Sequence, residues 1–271
     1  MKKHIIRILL ILLAVLLLLF AALKIYIAVE AKKRADAPGN TGAYDAVNLE
    51  KHPDSPLAGK TVLFLGSSVT EGAAAESQSF VELFGTLDGV NAVKEAKSGT
   101  TLVDKTSVLS LIAFGNGDSY VKRLKKVDKG MQIDCVVVQL STNDATMKLP
   151  LGEVSGSTEP AAFDTQTVTG AMEWIIRYSR DVWGCPVVFY TGSRYESAEY
   201  AAMVERLYAL RDKWGIGVID LYTDEAFNAA GAEQYALYMF DPIHPTKAGY
   251  YEWWFPKMEA DLIEILAEKE A

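Results

Sequence analysis

The sequence predicts a three-layer α/β/α sandwich built on a parallel β-sheet of five strands. Five short runs have the composition of strands, and those at 61–65, 133–140 and 187–191 are rich in Val, Ile and Leu and mostly apolar, which is typical of strands buried on both faces. Segments with a helical pattern alternate with these runs, and such alternation implies right-handed crossovers between parallel strands. The 271 residues are enough for one such domain of roughly 200 residues and a shorter additional segment.

The predicted strands are residues 61–65, 92–96, 133–140, 187–191 and 217–221. The predicted helices are residues 79–87, 120–127, 167–182, 198–214 and 247–268. In sheets of this kind ligands bind at the carboxyl ends of the strands. The residues that directly follow each strand are therefore the first candidates for a functional site.

The first 29 residues predict a membrane helix or a signal segment. Residues 8–23 are wholly apolar, and Arg7 and Lys24 can reach toward the two interfaces, which gives about the 20 residues that a spanning helix needs. A cleavable signal has a shorter apolar core and a small-x-small site soon after it, whereas residues 35–37, which have that form, lie far downstream. We expect an uncleaved anchor with the domain outside the cytoplasm; the alternative is secretion after cleavage.

Residues 30–59 are polar and contain several prolines and glycines, which is typical of a linker. The predicted organisation is an anchor (1–29), a linker (30–59) and an α/β domain (60–271). The net charge of −8 and the pI near 5.0 argue against a nucleic-acid partner, which needs a concentrated basic face. No obligate protein partner is predicted.

The two cysteines, Cys135 and Cys185, each begin a predicted strand. If these strands are neighbours in register, the thiols are close enough for a disulfide in an oxidising compartment. The alternative is a pair of buried free thiols. Their spacing fits neither a zinc site nor a redox pair, and no metal is predicted.

A small turn after the first strand presents a serine. Gly66 lets the backbone turn sharply, and Ser67 and Ser68 leave the amides of the turn free to face an oxyanion. The alternative is a capping box from Ser68 to Glu71, in which Ser68 closes a helix end. A phosphate loop is excluded because no lysine follows Gly72, and a dinucleotide-binding motif is excluded because the glycines are too far apart. The G-x-S-x-G elbow is excluded because Thr70 stands at its last position.

Asp241 and His244 stand three residues apart in Asp-Pro-Ile-His-Pro. That spacing lets the carboxylate reach the imidazole, fix its tautomer and stabilise the imidazolium that forms when a serine is deprotonated. The alternative is a proline-bounded turn with two capping residues. The other histidines, His4 and His52, lie outside the predicted domain, so His244 is the candidate base.

Candidate oxyanion donors follow the second and third strands. Gly99 can donate a backbone N–H from a conformation closed to larger residues, and Asn143 can aim its amide at a developing oxyanion. Taken singly, both are ordinary turn residues.

These four segments, in this order, resemble the sequence blocks of the SGNH, or GDSL-like, hydrolase superfamily, from about residue 61 to the carboxy terminus. The resemblance implies the flavodoxin-like SGNH hydrolase fold. It also implies that Ser68 is the nucleophile, His244 the base and Asp241 the third member of the triad. The backbone N–H of Ser68 would join Gly99 and Asn143 in an oxyanion hole.

Two positions depart from the pattern of the superfamily. Ser67 stands where Asp is typical, and Ser141 stands where Gly often occurs, although neither change removes a reacting group. Ser141 and Asp144, together with Arg194 and Tyr195 after the fourth strand, are the residues that we expect to contact the substrate.

The resemblance implies ester hydrolysis through an acyl-enzyme, without a metal or an organic cofactor. For a membrane-tethered domain outside the cytoplasm, we expect removal of acetyl or other short acyl groups from a carbohydrate or cell-envelope polymer. This expectation rests on the location of the domain and on analogy. Three alternatives stay open: a lysophospholipase or thioesterase acting on lipids, an acyltransferase, and a catalytically silent envelope-binding module.

Overall fold

Five parallel strands form the centre of the fold in the computed structural model, which describes residues 2–270. The strands are β1 (Thr61–Gly66), β2 (Asn91–Ala96), β3 (Cys135–Gln139), β4 (Val187–Tyr190) and β5 (Gly217–Ile219). They lie in the order β2-β1-β3-β4-β5, and every neighbouring pair is parallel. The five predicted strands are confirmed, each within a few residues.

Helices connect the strands and cover the sheet. They are α1 (Lys2–Ala35), α2 (Ser68–Glu71), α3 (Phe80–Thr86), α4 (Val108–Phe114), α5 (Tyr120–Leu124), α6 (Thr142–Thr146), α7 (Val168–Trp183), α8 (Ala198–Trp214), α9 (Ala232–Tyr238) and α10 (Phe255–Glu270). A π-helical segment, Gly249–Trp254, leads into α10. The helices α2, α4, α6 and α9 are additional to the predicted set, and each has only four to seven residues.

Each strand contributes to two separate hydrophobic layers. Leu63 and Leu65 of β1 belong to a buried cluster that includes side chains of α5, α7 and α8. Val62 and Phe64 belong to a second cluster with α3 and α10. Successive side chains of a strand point to opposite faces, so this alternation places helices on both sides of the sheet. The predicted three-layer architecture is confirmed.

Both cysteines are buried free thiols in the structure. Cys135 and Cys185 therefore form no disulfide in the structure, which has the alternative of two buried free thiols. Burial raises the pKa of the Cys185 thiol to about 11, so it stays protonated and unreactive at neutral pH.

The helix α1 is long and apolar enough to cross a membrane, and its apolar window is not buried within the rest of the chain. It continues to Ala35, six residues beyond the predicted end of the anchor. This length and composition fit either a membrane anchor or a signal sequence.

The segment after α1 lies against the domain, although its composition predicts a linker. It contains three short 3-10 turns between residues 38 and 48. Asn40 is buried, and its Nδ2 donates to the carbonyl oxygens of Arg34 and Ala74, both at 2.6 Å. Its Oδ1 accepts from the backbone N–H of Lys247 at 2.8 Å. These bonds dock the end of α1 directly on the domain.

Candidate active site

The turn after β1 places Ser68 at the first residue of α2. A Cβ atom on Gly66 would lie 1.7 Å from Oγ1 of Thr70, so no other residue fits at this position without moving the helix. The sharp turn leaves Ser68 at the carboxyl edge of the sheet with a small exposed fraction of 8%.

Ser68 does not act as a helix cap. The N-cap residue is Ser67, whose side chain makes no capping bond. The carboxylate of Glu71 does not return to the turn; it accepts from the backbone N–H of Ser98 at 2.7 Å and from the Ser98 hydroxyl. The capping-box alternative is therefore wrong, and the Ser68 hydroxyl is directed at His244.

Ser68, His244 and Asp241 form a continuous chain of hydrogen bonds. Nε2 of His244 lies 2.8 Å from Oγ of Ser68. Nδ1 of His244 lies 2.8 Å from Oδ2 and 2.9 Å from Oδ1 of Asp241. With the proton on Nδ1, the ring donates to the carboxylate and leaves Nε2 free to accept the serine proton.

Asp241 is held by its own turn. Its Oδ1 accepts from the backbone N–H groups of Ile243 and His244, both at 2.9 Å. Burial by itself raises the pKa of Asp241, but the bonds from His244 and the backbone outweigh it and lower the pKa below its usual value. The carboxylate is therefore ionised at neutral pH, as stabilising an imidazolium requires.

Gln139, the last residue of β3, holds the serine turn. Its Oε1 accepts from the backbone N–H of Ser67 at 2.9 Å and from Oγ1 of Thr70 at 2.8 Å. The hydroxyl of Tyr190 lies 2.6 Å from the same Oγ1. These bonds attach the residues on both sides of Ser68 to the centre of the sheet. The sequence signal was a polar residue at the end of an otherwise apolar strand.

The loops after β2 and β3 bring Gly99 and Asn143 to this edge. Gly99 has a φ of +73°, and a Cβ there would lie 2.3 Å from Oγ of Ser110, so both the conformation and the space require glycine. Nδ2 of Asn143 donates to the carbonyl oxygen of Thr100 at 2.8 Å. This bond joins the two loops that carry the predicted oxyanion donors.

A buried arginine that the sequence analysis missed supports the same loops. Arg123 of α5 is 3% exposed, and its Nη2 donates to the carbonyl oxygen of Gly66 at 2.6 Å and to Oγ1 of Thr100 at 3.2 Å. Its Nη1 donates to the carbonyl oxygen of Glu95. The guanidinium thus ties the ends of β1 and β2 together. An arginine in a short helical pattern is normally read as a surface residue, so its role depends on contacts that the sequence does not display.

Two of the predicted substrate-contact residues are buried supports in the structure. Ser141 caps α6, where its Oγ accepts from the N–H of Asp144. The carboxylate of Asp144 accepts from the backbone N–H groups of Leu102 and Val103 at 2.8 and 3.0 Å. Both side chains are almost fully buried, so they position the loop after β2 and do not face a substrate.

The other two predicted contact residues join neighbouring loops. Arg194 is exposed, and its Nε and Nη2 donate to the carbonyl oxygens of Tyr222 and Thr223, both at 3.2 Å. The ring of Tyr195 packs against those of Tyr200 and Tyr222, with centroids 5.0 and 6.2 Å apart. Their contacts connect the loops after β4 and β5; substrate contact remains a prediction for both.

Comparison with known proteins places this geometry in context. A family model described as GDSL-like Lipase/Acylhydrolase matches residues 64–251, which is well over half of the chain. No curated protein matches the sequence.

Solved structures share the fold. One crystal structure is 27% identical, with a TM-score of 0.61 over 77% of this chain and 98% of its own. A protein from Lactobacillus plantarum is 20% identical, with a TM-score of 0.57 over 78% of this chain and 98% of its own. A protein assigned to the GDSL-like lipases, from Bacteroides ovatus, is 16% identical, with a TM-score of 0.55 over 76% of this chain and 98% of its own. At these identities the last two show the fold alone.

Proposed function

Because the chain belongs to the GDSL-like lipase/acylhydrolase family, we propose that it is a serine ester hydrolase working through an acyl-enzyme. The observation that carries this proposal is the hydrogen-bonded chain from Ser68 through His244 to Asp241. A serine hydroxyl is a weak nucleophile until a neighbouring base takes its proton. Nε2 of His244 lies within hydrogen-bonding distance for that transfer.

The reaction would proceed in two steps. Oγ of Ser68 attacks the ester carbonyl while Nε2 of His244 takes the hydroxyl proton, and the same nitrogen then gives that proton to the departing alcohol. Water, deprotonated by His244, attacks the acyl-serine, and His244 then gives that proton to Oγ of Ser68 as the bond between Oγ and the acyl carbon breaks and the carboxylic acid leaves. Asp241 stabilises the imidazolium in both steps.

Three donors are available for the oxyanion. The N–H of Ser68 lies in the first turn of α2, where helix N–H groups have no intrahelical acceptor. Gly99 can offer its N–H from the left-handed conformation. Asn143 gives one amide hydrogen to Thr100 and keeps a second one for the substrate. Each such donor is typically worth about 10²–10³ in kcat.

For the substrate, the first candidate is a short acyl group, such as acetyl, on a carbohydrate or cell-envelope polymer. The domain would lie outside the cytoplasm and be held at the membrane by α1, or be secreted after cleavage. The support is the spanning length and apolar character of α1, since an ester hydrolase at that location meets acylated envelope polymers. The assignment is an argument from location.

A second candidate, a lipid ester, is supported by α4. Four apolar side chains of this helix have half or more of their surface exposed: Val108, Leu109, Leu111 and Ile112. Ile112 and apolar side chains of α1 between residues 16 and 23 line a cavity of about 360 Å³. Ser110 of the same helix packs against Gly99. The exposed apolar residues of α4 thus lie beside α1, while the buried Ser110 of the same helix lies against the oxyanion loop, and exposed apolar patches mark lipid or partner sites.

The two candidates are separated by a chain-length series of p-nitrophenyl esters, from acetate to palmitate, with the full chain in detergent. The first candidate predicts the highest kcat/KM for acetate. The second predicts a rise with chain length that is lost in the double variant Leu109→Ser, Ile112→Ser while acetate turnover is retained. Transfer to an added alcohol in excess of hydrolysis would instead favour an acyltransferase.

The triad is tested in the same assay. Ser68→Ala and His244→Ala should each lower kcat/KM by about 10⁴-fold or more, whereas Ser157→Ala, a hydroxyl in the loop after α6, should have no effect. Folded Ser68→Ala and His244→Ala proteins with wild-type turnover would refute the triad. A folded wild type without activity on any ester would favour the envelope-binding module.

A further inference from the structure

Three side chains with metal-binding atoms meet at the edge of the sheet opposite the triad. His52 precedes the domain, Asp88 lies in the turn before β2, and Glu259 lies in α10. One ligand atom from each lies within 4.8 Å of the other two. Because Asp88 stands near the amino end of β2, whereas Ser68 follows the carboxyl end of the parallel strand β1, this cluster is separate from the proposed catalytic site.

Two of the distances in the cluster match those between neighbouring ligand atoms of a single cation. Nδ1 of His52 lies 3.0 Å from Oδ1 of Asp88 and 3.0 Å from Oε1 of Glu259. Metal–ligand bonds of about 2.0–2.2 Å place neighbouring donor atoms about 3.0–3.5 Å apart in octahedral or tetrahedral geometry. A cation between the three atoms would therefore require only small side-chain movements.

The protein groups do not balance the cluster. Nδ1 of His52 carries at most one hydrogen and can donate it to one carboxylate at a time. The Asp88 side chain is fully buried, yet its Oδ2 has no hydrogen-bond partner among the described residues. Two carboxylates share one imidazole, and the buried carboxylate, that of Asp88, has an oxygen that accepts no hydrogen bond from the described part of the chain.

The backbone around the cluster is already held in position. The N–H of His52 donates to the carbonyl oxygen of Leu87 at 2.8 Å, which fixes His52 beside Asp88. The ring of Phe255, one helical turn before Glu259, packs against the His52 ring with centroids 6.0 Å apart. All three ligands are thus supplied by positions that packing and backbone bonds define.

We propose that His52, Asp88 and Glu259 bind a divalent cation of the zinc or manganese class and so clamp the segment before the domain to α10. One imidazole nitrogen with two carboxylate oxygens is a donor set that suits these ions. A cavity of about 240 Å³ is lined by His52 and Asp88, although not by Glu259, and leaves room for water ligands on the side of these two residues. The His52 side chain is 40% exposed, which gives the ion an entry path.

The test is calorimetric titration of the chelator-treated full chain in detergent with ZnCl₂ and, separately, MnCl₂. The wild type should bind one ion per chain. His52→Ala and the isosteric Glu259→Gln should each weaken binding by at least the roughly 10–100-fold that loss of an outer-shell partner costs. Glu264→Gln removes an exposed carboxylate from the same helix, and His4→Ala removes a histidine of α1; both should bind like the wild type.

The proposal is overturned if the wild type binds neither ion stoichiometrically, or if binding persists unchanged in both His52→Ala and Glu259→Gln. Turnover of an ester by each variant reports that it is folded, because none of these residues belongs to the triad. Loss of metal binding with retained hydrolysis therefore concerns only this site. Loss of hydrolysis in Ser68→Ala with retained metal binding concerns only the proposed function.

Discussion

Two histidine–carboxylate groups lie at opposite edges of the sheet, and their arrangements differ. His244 engages separate partners with its two ring nitrogens, Asp241 at Nδ1 and Ser68 at Nε2. His52 faces two carboxylates with the single nitrogen Nδ1. The first arrangement lets a proton move between one side of the ring and a substrate while the other side is held. The second gathers donor atoms around one point, which suits a cation and not a proton relay.

The two aspartates differ in the supply of hydrogen-bond donors. Asp241 accepts from two backbone N–H groups in addition to the imidazole, and these bonds outweigh burial and lower its pKa. Burial raises the pKa of Asp88 to about 7, and the neighbouring Glu259 raises it further, which outweighs the bond from His52. Pairing with a histidine therefore does not by itself keep a buried aspartate ionised, because burial and a neighbouring carboxylate can outweigh it.

The largest test of this contrast removes one negative charge from each group. Asp241→Asn should lower kcat/KM for a p-nitrophenyl ester by about 10³–10⁴-fold, because the amide no longer stabilises the imidazolium or selects its tautomer. Asp88→Asn is the matched control, since it makes the same substitution at the other histidine, and it should keep wild-type turnover. Equal losses in both variants would show that the two groups do not differ in function as the geometry indicates.

A smaller effect is expected at the oxyanion loop. Asn143→Ala should lower kcat by about 10²–10³-fold with little change in KM, because the amide is proposed to act on charge that develops only in the transition state. Asn48→Ala, at an exposed asparagine outside this edge, should leave kcat unchanged. A rise in KM at constant kcat would instead assign Asn143 to substrate binding.

The sequence predicted the parts of the fold and site that depend on local pattern. The strands β1, β3 and β4 were recognisable because they are apolar on both faces. Ser68 and His244 were recognisable because each stands in a short motif next to a strand or helix end. Ser68 and His244 are 176 positions apart in sequence, so the two motifs were connected before the structure only by their complementary chemistry and by the resemblance to a family.

The supporting residues were not predictable in the same way. Gln139, Glu71 and Arg123 act through long-range bonds to the turns that carry the proposed site. Of the three, only Gln139, a polar residue at the end of an apolar strand, stands out in sequence. His52 was set aside because its segment has the composition of a linker. Its docking depends on buried contacts such as that of Asn40 with Ala74, which composition does not encode.

The smallest expected effect concerns stability and has opposite sign at the two edges. The pKa of Asp88 is raised from 3.8 to about 7, so its contribution to stability is fully present below about pH 4 and is lost as the pH rises through about 7. Hydrogen bonds to Glu259 and Asp88 outweigh burial and raise the pKa of His52, so its contribution is likewise lost with rising pH. Asp241, whose pKa is lowered, contributes above about pH 4 and loses that contribution only as the pH falls further.

The unfolding midpoint of the chelator-treated wild type should therefore fall between pH 5 and about 8 relative to that of Asp88→Asn. The profile of Asp88→Asn should be flatter. Added Zn²⁺ should remove most of the difference at the upper end of this range. Circular dichroism melts of the two proteins across this range measure it, and parallel profiles would mean that Asp88 does not carry the proton that its burial implies.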